Sequence, residues 1–212
     1  MRKGVTASAA CLSALALSAG MAQTASANTA SAPDRITIEV QTVNGSGCPA
    51  GTAAVAPSPD NTAFTVTYSQ YMAQAGGDSN PTDMRKNCQL NLGIHIPQGF
   101  TYAIASADYR GYAYLAKGAT GMERASYYFQ GMSQTTPVTH NLKGKYDNNW
   151  QFTDRTDVGA LVWKPCGEDR NLNVNTELRV NKGSSDETSF MTFDSTDGDM
   201  RTIYHFSWKK CD

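Results

Sequence analysis

Side chains two residues apart share one face of a strand, so strict apolar–polar alternation marks a strand that buries one side and wets the other. That period dominates this chain. Ile36, Ile38 and Val40 alternate with Thr37, Glu39 and Gln41, and Phe64, Val66 and Tyr68 with Thr65 and Thr67. Leu90, Leu92, Ile94 and Ile96 form a longer apolar face opposite Asn91, Gly93 and His95. Leu172, Val174, Leu178 and Val180 repeat it within 171–181, and a β-rich run at 202–209 closes the chain. Further strands are expected at 52–55, 100–115, 125–129, 138–142, 151–153, 158–163 and 189–193. Turn formers such as Asn44-Gly45-Ser46-Gly47, Pro97-Gln98-Gly99 and Lys182-Gly183-Ser184 punctuate the runs. The spacing predicts an all-β fold, a two-sheet antiparallel β-sandwich, jelly-roll-like, of about ten strands. No 3.6-residue stripe is present. One helical turn is expected at 81–86, with Asn80 as cap and Pro81 in the first position; 72–87 otherwise reads as the longest loop.

The N-terminus divides into a basic start (Arg2, Lys3), an apolar stretch over 5–17 and a small-residue site, Ala25-Ser26-Ala27. This pattern predicts a secretory signal peptide at 1–27, a flexible lead-in at 28–33 and a single β-sandwich domain at 34–212. Cys11 reads as a small apolar residue inside the leader. Without Arg2 and Lys3, 16 basic residues stand against 19 acidic ones. That balance argues against nucleic acid as a partner, because phosphate binding needs clustered excess Lys and Arg. No apolar stretch after residue 27 approaches the roughly 20 residues of a membrane span. The expected product is a secreted, extracellular monomer.

Export places the remaining cysteines, Cys48, Cys88, Cys166 and Cys211, in oxidising surroundings, where two disulfides are the default and three connectivities are possible. The pairing chosen here is Cys48–Cys88 with Cys166–Cys211. Cys166 precedes the strand at 171–181 and Cys211 follows the strand at 202–209, so antiparallel pairing of those two strands would bring the cysteines together. A four-cysteine zinc site would need close C-x-x-C pairs, and none exists.

Catalytic motifs are absent: no G-x-S-x-G elbow, no H-E-x-x-H, no phosphate-binding loop and no dinucleotide fingerprint. No cofactor is implied beyond calcium, for which Asp194, Asp197 and Asp199 offer three carboxylates in six residues. The competing reading of Asp197-Gly198 is a hairpin turn between Phe193 and Ile203. Asp147, Asp154 and Asp157 carry the same ambiguity more weakly. His95, His140 and His205 sit on different strands and read as three unrelated imidazoles rather than a metal site. Glu123, Asp108, Glu168, Asp169 and Glu177 could supply a hydrolytic carboxylate pair, yet no pattern selects two of them. Asn44-Gly45-Ser46 fits a glycosylation sequon but reads more simply as a turn.

The aromatic residues are more informative. Tyr109 lies on the opposite strand face to Tyr112 and Tyr114, and Tyr127, Tyr128 and Phe129 are consecutive, so each run must send a ring outward. Rings beside Asn, Gln and Asp suit sugar or protein contact. The candidate binding residues are therefore Tyr109, Tyr112, Tyr127, Trp150 and His205, the last lying in the run Tyr204-His205-Phe206-Ser207-Trp208. The competing reading puts these rings in the gap between the sheets.

The strings VNGSGCPAGTA (43–53), RKNCQLNL (85–92), GFTYAIASADYRGYA (99–113), YYFQG (127–131), NLNVNTELRV (171–180) and YHFSWKKC (204–211) span almost the whole domain. In them the chain resembles a family of small secreted actinobacterial and fungal proteins designated domain of unknown function 4360. The resemblance implies export, cysteine pairing and a β-rich fold, and it brings no catalytic residues. The function expected is a non-catalytic binding module for an extracellular polysaccharide or protein. The alternatives are a secreted hydrolase with a carboxylate or histidine site assembled across strands, and a protease-inhibitor-like module presenting the loop at 72–87.

Overall fold

The computed structural model describes residues 30–193 and 201–211. The leader at 1–27 and the three candidate calcium ligands Asp194, Asp197 and Asp199 lie outside the described residues. Twelve strands follow one another: β1 (Thr37–Asn44), β2 (Ala53–Pro57), β3 (Ala63–Tyr68), β4 (Met72–Ala75), β5 (Arg85–His95), β6 (Phe100–Leu115), β7 (Thr120–Phe129), β8 (Val138–Lys143), β9 (Tyr146–Arg155), β10 (Leu172–Asn181), β11 (Ser189–Thr192) and β12 (Thr202–Lys210). One sheet runs β1-β5-β10-β7-β8 and the other β2-β3-β12-β6-β11-β4, with β9 along the remaining side of β6. All the pairings are antiparallel. Among the described residues the helical pieces are two short 3-10 turns, Pro81–Met84 and Val158–Ala160.

The sheets face each other across Leu90, Leu92, Ile94, Leu172, Val174 and Leu178 on one side and Phe64, Val66, Tyr102, Ile104, Tyr204 and Phe206 on the other, all buried. Aromatic packing fills the gap, with Phe64 stacked on Tyr204 at 4.9 Å and Tyr102 edge-on to Phe129 at 5.3 Å.

Two bulges reset the alternation. In β1 the register with β5 shifts between Val40 and Thr42. Gln41 is the extra residue, so the inner face passes from Val40, opposite Leu92 and still 38% exposed on this edge strand, to Val43, opposite Leu90 and packed on the core. In β6 the register with β12 shifts opposite Ala105: Ile104 faces Phe206 while Ser106 faces His205. Tyr102 and Ile104 therefore point inward before the bulge, and Ala107 and Tyr109 after it.

Several expectations are corrected. The stretch 72–87 is not one loop, because β4 pairs with β11 and β5 begins at Arg85. The strand expected at 158–163 is a 3-10 turn running into an irregular segment. β11 and β12, which flank the expected turn, do not pair with each other: they lie one after the other along the same side of β6, at Tyr114–Tyr112 and at Asp108–Phe100, and Asp197-Gly198 itself lies outside the described residues. From Ala30 the lead-in is already tied down, since Ala30 N–H donates to Trp208 O at 2.9 Å and Asn61 Nδ2 to Pro33 O at 2.9 Å.

Both disulfides form as paired above, Cys48–Cys88 and Cys166–Cys211. The reason given for the second fails, because β10 and β12 belong to different sheets. What brings Cys166 and Cys211 together is the start of β6. Lys164 N–H donates to Tyr102 O and Cys211 N–H to Gly99 O, both at 2.9 Å, so the segment crossing between sheets and the chain end converge there.

Candidate functional site

After the Ala105 bulge, β6 sends Ser106, Asp108, Arg110, Tyr112 and Tyr114 to the outer face of its sheet, while Ala107, Tyr109, Gly111 and Ala113 are buried. The strands on either side complete that face. His205 of β12 places Nε2 2.8 Å from Asp108 Oδ2, and Thr153 of β9 donates its hydroxyl to Asp108 Oδ1 at 2.5 Å. Burial alone would raise the Asp108 carboxyl, but the hydrogen bonds from Thr153 and His205 and the nearby Arg110 outweigh it and hold the group below the ordinary carboxylate range.

Further along β6 the face becomes aromatic. Phe190 of β11 pairs in register with Tyr114, and its ring centroid lies 5.9 Å from that of Tyr112 and 6.2 Å from that of Tyr114. The three rings are tilted by 35° and 31° and form one half-exposed row. Carboxylates pin its polar tips: Tyr112 donates its hydroxyl to Asp147, and Tyr114 donates to Glu187 Oε2 at 3.1 Å. These bonds raise both phenols above their ordinary value. Asn149 and Gln151 of β9 sit beside Tyr112 and Arg110.

The structure thus brings two of the five candidate binding residues, Tyr112 and His205, onto one face. It moves the other three inside. Tyr109 and Trp150 are 1% and 3% exposed; the β6 bulge directs the first inward, and Trp150 packs across Gly111 on Phe152 and Phe193. Tyr127 also points between the sheets, its hydroxyl bonded to Ile104 O at 3.2 Å and to Thr156 Oγ1 at 3.0 Å. As surface contacts those three are corrected. Asp108 and Tyr114 were visible as chemistry and as neighbours of Tyr112. Phe190 was not recognised as part of a site, because its place beside them depends on which strand pairs with β6.

Elsewhere, titratable groups meet inside the sandwich. Glu123 of β7 is fully buried, and among the described residues neither carboxylate oxygen has a hydrogen-bond partner. Burial pushes its carboxyl well above the ordinary value, and the charge of Asp154 adds to the shift. Its cross-strand neighbour His140 stacks on Phe152 at 4.4 Å and lies 2.6 Å from Asp154 Oδ1, joining the β8 and β9 edges. The three histidines occupy separate places, and among the described residues no group of three or more His, Cys, Asp or Glu is disposed to hold a metal ion. A cavity of about 640 Å³ at the end of the sandwich is lined by His95, Lys164, Glu168 and Asp169. Glu168 there is engaged by Arg170 Nε at 2.5 Å.

The family model described as "Domain of unknown function (DUF4360)" matches residues 34–211. An "Uncharacterized secreted protein" of Arthroderma benhamiae is 37% identical over 179 residues, covering 84% of this chain and 73% of that protein. Among solved structures, the enzymatically active domain of the bacteriophage CBA120 tailspike protein 4 aligns with 84% of this chain at 10% identity and a TM-score of 0.28. This chain spans 19% of that structure, and a likeness so slight carries no argument. Among the described residues no helix is long and apolar enough to cross a membrane.

Proposed function

We propose that this chain, which belongs to the DUF4360 family and is secreted, is a non-catalytic binding module that holds an extracellular polysaccharide on the outer face of the β6 sheet. The observation that carries the reading is the row Tyr112–Phe190–Tyr114, three adjoining rings on a sheet surface with their tips fixed by Asp147 and Glu187. A sugar ring offers apolar C–H faces and a rim of hydroxyls. The aromatic row suits the first, and Asp147, Asn149, Gln151 and Glu187 suit the second. Because the phenols are already held, little side-chain freedom is lost on binding. The carboxyl raised by burial, Glu123, is sealed between the sheets, whereas a general acid must reach its substrate; this favours binding over hydrolysis.

The test is a pull-down of the secreted protein on insoluble cellulose, chitin, xylan and β-1,3-glucan. At least one polymer is expected to retain it, with Tyr112→Ala and Phe190→Ala each weakening retention about tenfold. Tyr127→Phe, which alters only an internal hydroxyl, should bind as the parent does. Failure on every polymer, or retention indifferent to both surface substitutions, would refute the reading. The hydrolase reading keeps one observation in its favour, the meeting of Glu123 with the His140–Asp154 pair. Release of soluble sugar that disappears in Glu123→Gln would put it first.

A further inference from the structure

The opposite outer face, that of the β5-β10-β7 sheet, has a different chemistry. Register places Arg124 beside Glu177, and Arg179 beside Arg85, in adjacent rows. Two guanidinium groups, those of Arg85 and Arg179, thus engage a single carboxylate, and Arg124 stands at the neighbouring register position. Glu177 is already saturated, with Arg85 Nη2 at 2.5 Å and Arg179 Nη2 at 2.8 Å. Burial would raise that carboxyl, but the two arginines hold it below its ordinary value. Arg124 is exposed and, among the described residues, makes no side-chain hydrogen bond or ion pair. It opens onto a depression of about 210 Å³ together with Ser126, Gln134 and Asn175. Beyond the depression the face carries amides, of which Asn173 is buried, Asn91, Asn171 and Asn175 are half-buried and Gln89 is exposed. Asn91 donates to Asn173 at 2.8 Å and Asn171 to Asn91 at 2.6 Å, while the side chains of Gln89 and Asn175 are unengaged among the described residues.

We infer that this face is a second binding site, specific for a polysaccharide bearing uronate carboxylates, with Arg124 receiving the carboxylate and the unengaged amides of Gln89 and Asn175 the hydroxyls. A guanidinium fork matches a carboxylate with two parallel hydrogen bonds. Amides both donate and accept, as sugar hydroxyls require. The strands carry these amides at a spacing of about 4.8 Å, close to the length of one pyranose ring. The chain as a whole has a formal net charge of −1, so its overall field does not attract a polyanion; the attraction is local to the arginine rows. The inference does not rest on the aromatic row.

Affinity electrophoresis of the secreted protein in gels containing polygalacturonate, its fully methyl-esterified form or dextran sulfate tests it. Retardation is expected in polygalacturonate and not in the ester, which keeps the same sugar backbone but replaces each carboxylate with a neutral methyl ester. It should weaken with added salt, fall about tenfold or more in Arg124→Gln and persist in Tyr112→Ala. A thermal melt verifies that Arg124→Gln, at an exposed position, is folded. Equal retardation by acid and ester, or parental retardation of Arg124→Gln, overturns the inference. So does loss of binding in Tyr112→Ala, which assigns the polymer to the aromatic face. Retardation by dextran sulfate alone overturns the choice of a carboxylate.

Discussion

Glu123 is the residue least reconciled with its surroundings. A carboxyl with no hydrogen-bond partner among the described residues, enclosed between sheets beside Leu178 and His140, is tolerated only while it stays protonated. In the unfolded chain it ionises at the ordinary carboxylate value, whereas in the fold it holds its proton to higher pH. The unfolded state therefore binds fewer protons above that ordinary value, and stability falls as pH rises through the window up to the folded value. Glu123→Gln keeps the shape and removes the ionisation. It is expected to be more stable than the parent by about 1–3 kcal/mol at pH 8, with the gap closing as pH falls toward 4. Thermal melts of both proteins across that range check it; parallel profiles would show that Glu123 does not ionise on unfolding. Nothing in the local sequence singles out this residue. Its alternation with Gly121 and Ala125 shows the face it shares, but only the packing of the second sheet over that face buries it completely.

The strands differ in how far they could be read before folding. β10 matches its expected bounds to one residue, whereas the apolar face at Leu90–Ile96 marks only the second half of β5, whose polar start at Arg85–Gln89 carries no alternating apolar signal. β6 is legible end to end as a strand with Tyr109 and Tyr112 on opposite faces, but the bulge at Ala105 that decides which of them faces inward has no signature among Ala103, Ala105 and Ala107. β9 was read over three residues of ten because Asp147, Asn148 and Asn149 are poor strand formers. They are held there by pairing with β6. The clearest element-level constraint is Gly111, at the point of β6 flanked by β9 and the end of β11. A Cβ there would lie 1.9 Å from Thr192 O and 2.3 Å from Trp150 Cζ2. The first is backbone and the second a buried indole, so neither can yield cheaply. Gly111→Ala is expected to cost about 2 kcal/mol or more, lowering Tm by roughly 5 °C or more. A differential scanning calorimetry trace matching the parent would show that the strand can shift to admit a methyl group.

At the scale of the whole molecule, the cystines close the two sheets at different depths. Each spans a sequence separation of 40 or 45 residues, worth about 4 kcal/mol in the chain-entropy account. Their environments differ. Cys48 and Cys88 are 0% and 1% exposed, packed against Tyr71 and Leu90 in one core, while Cys166 is exposed beside the end cavity. Which cysteines pair was legible because only a few arrangements were possible. How they are brought together was not, since the crossing segment at 156–171 has no periodicity to reveal that it returns to the start of β6. Reduction requires a thiolate to approach a sulfur along its bond axis, so access sets the order. Under mild reductant at neutral pH, Cys166–Cys211 is expected to open first, in a protein that keeps its β-rich circular dichroism. Cys48–Cys88 should open only as the fold is lost. Alkylation of the quenched samples followed by peptide mass spectrometry reads the order directly. Labelling of Cys48 and Cys88 before Cys166 and Cys211 would mean that the inner bridge is reached through a route other than global unfolding.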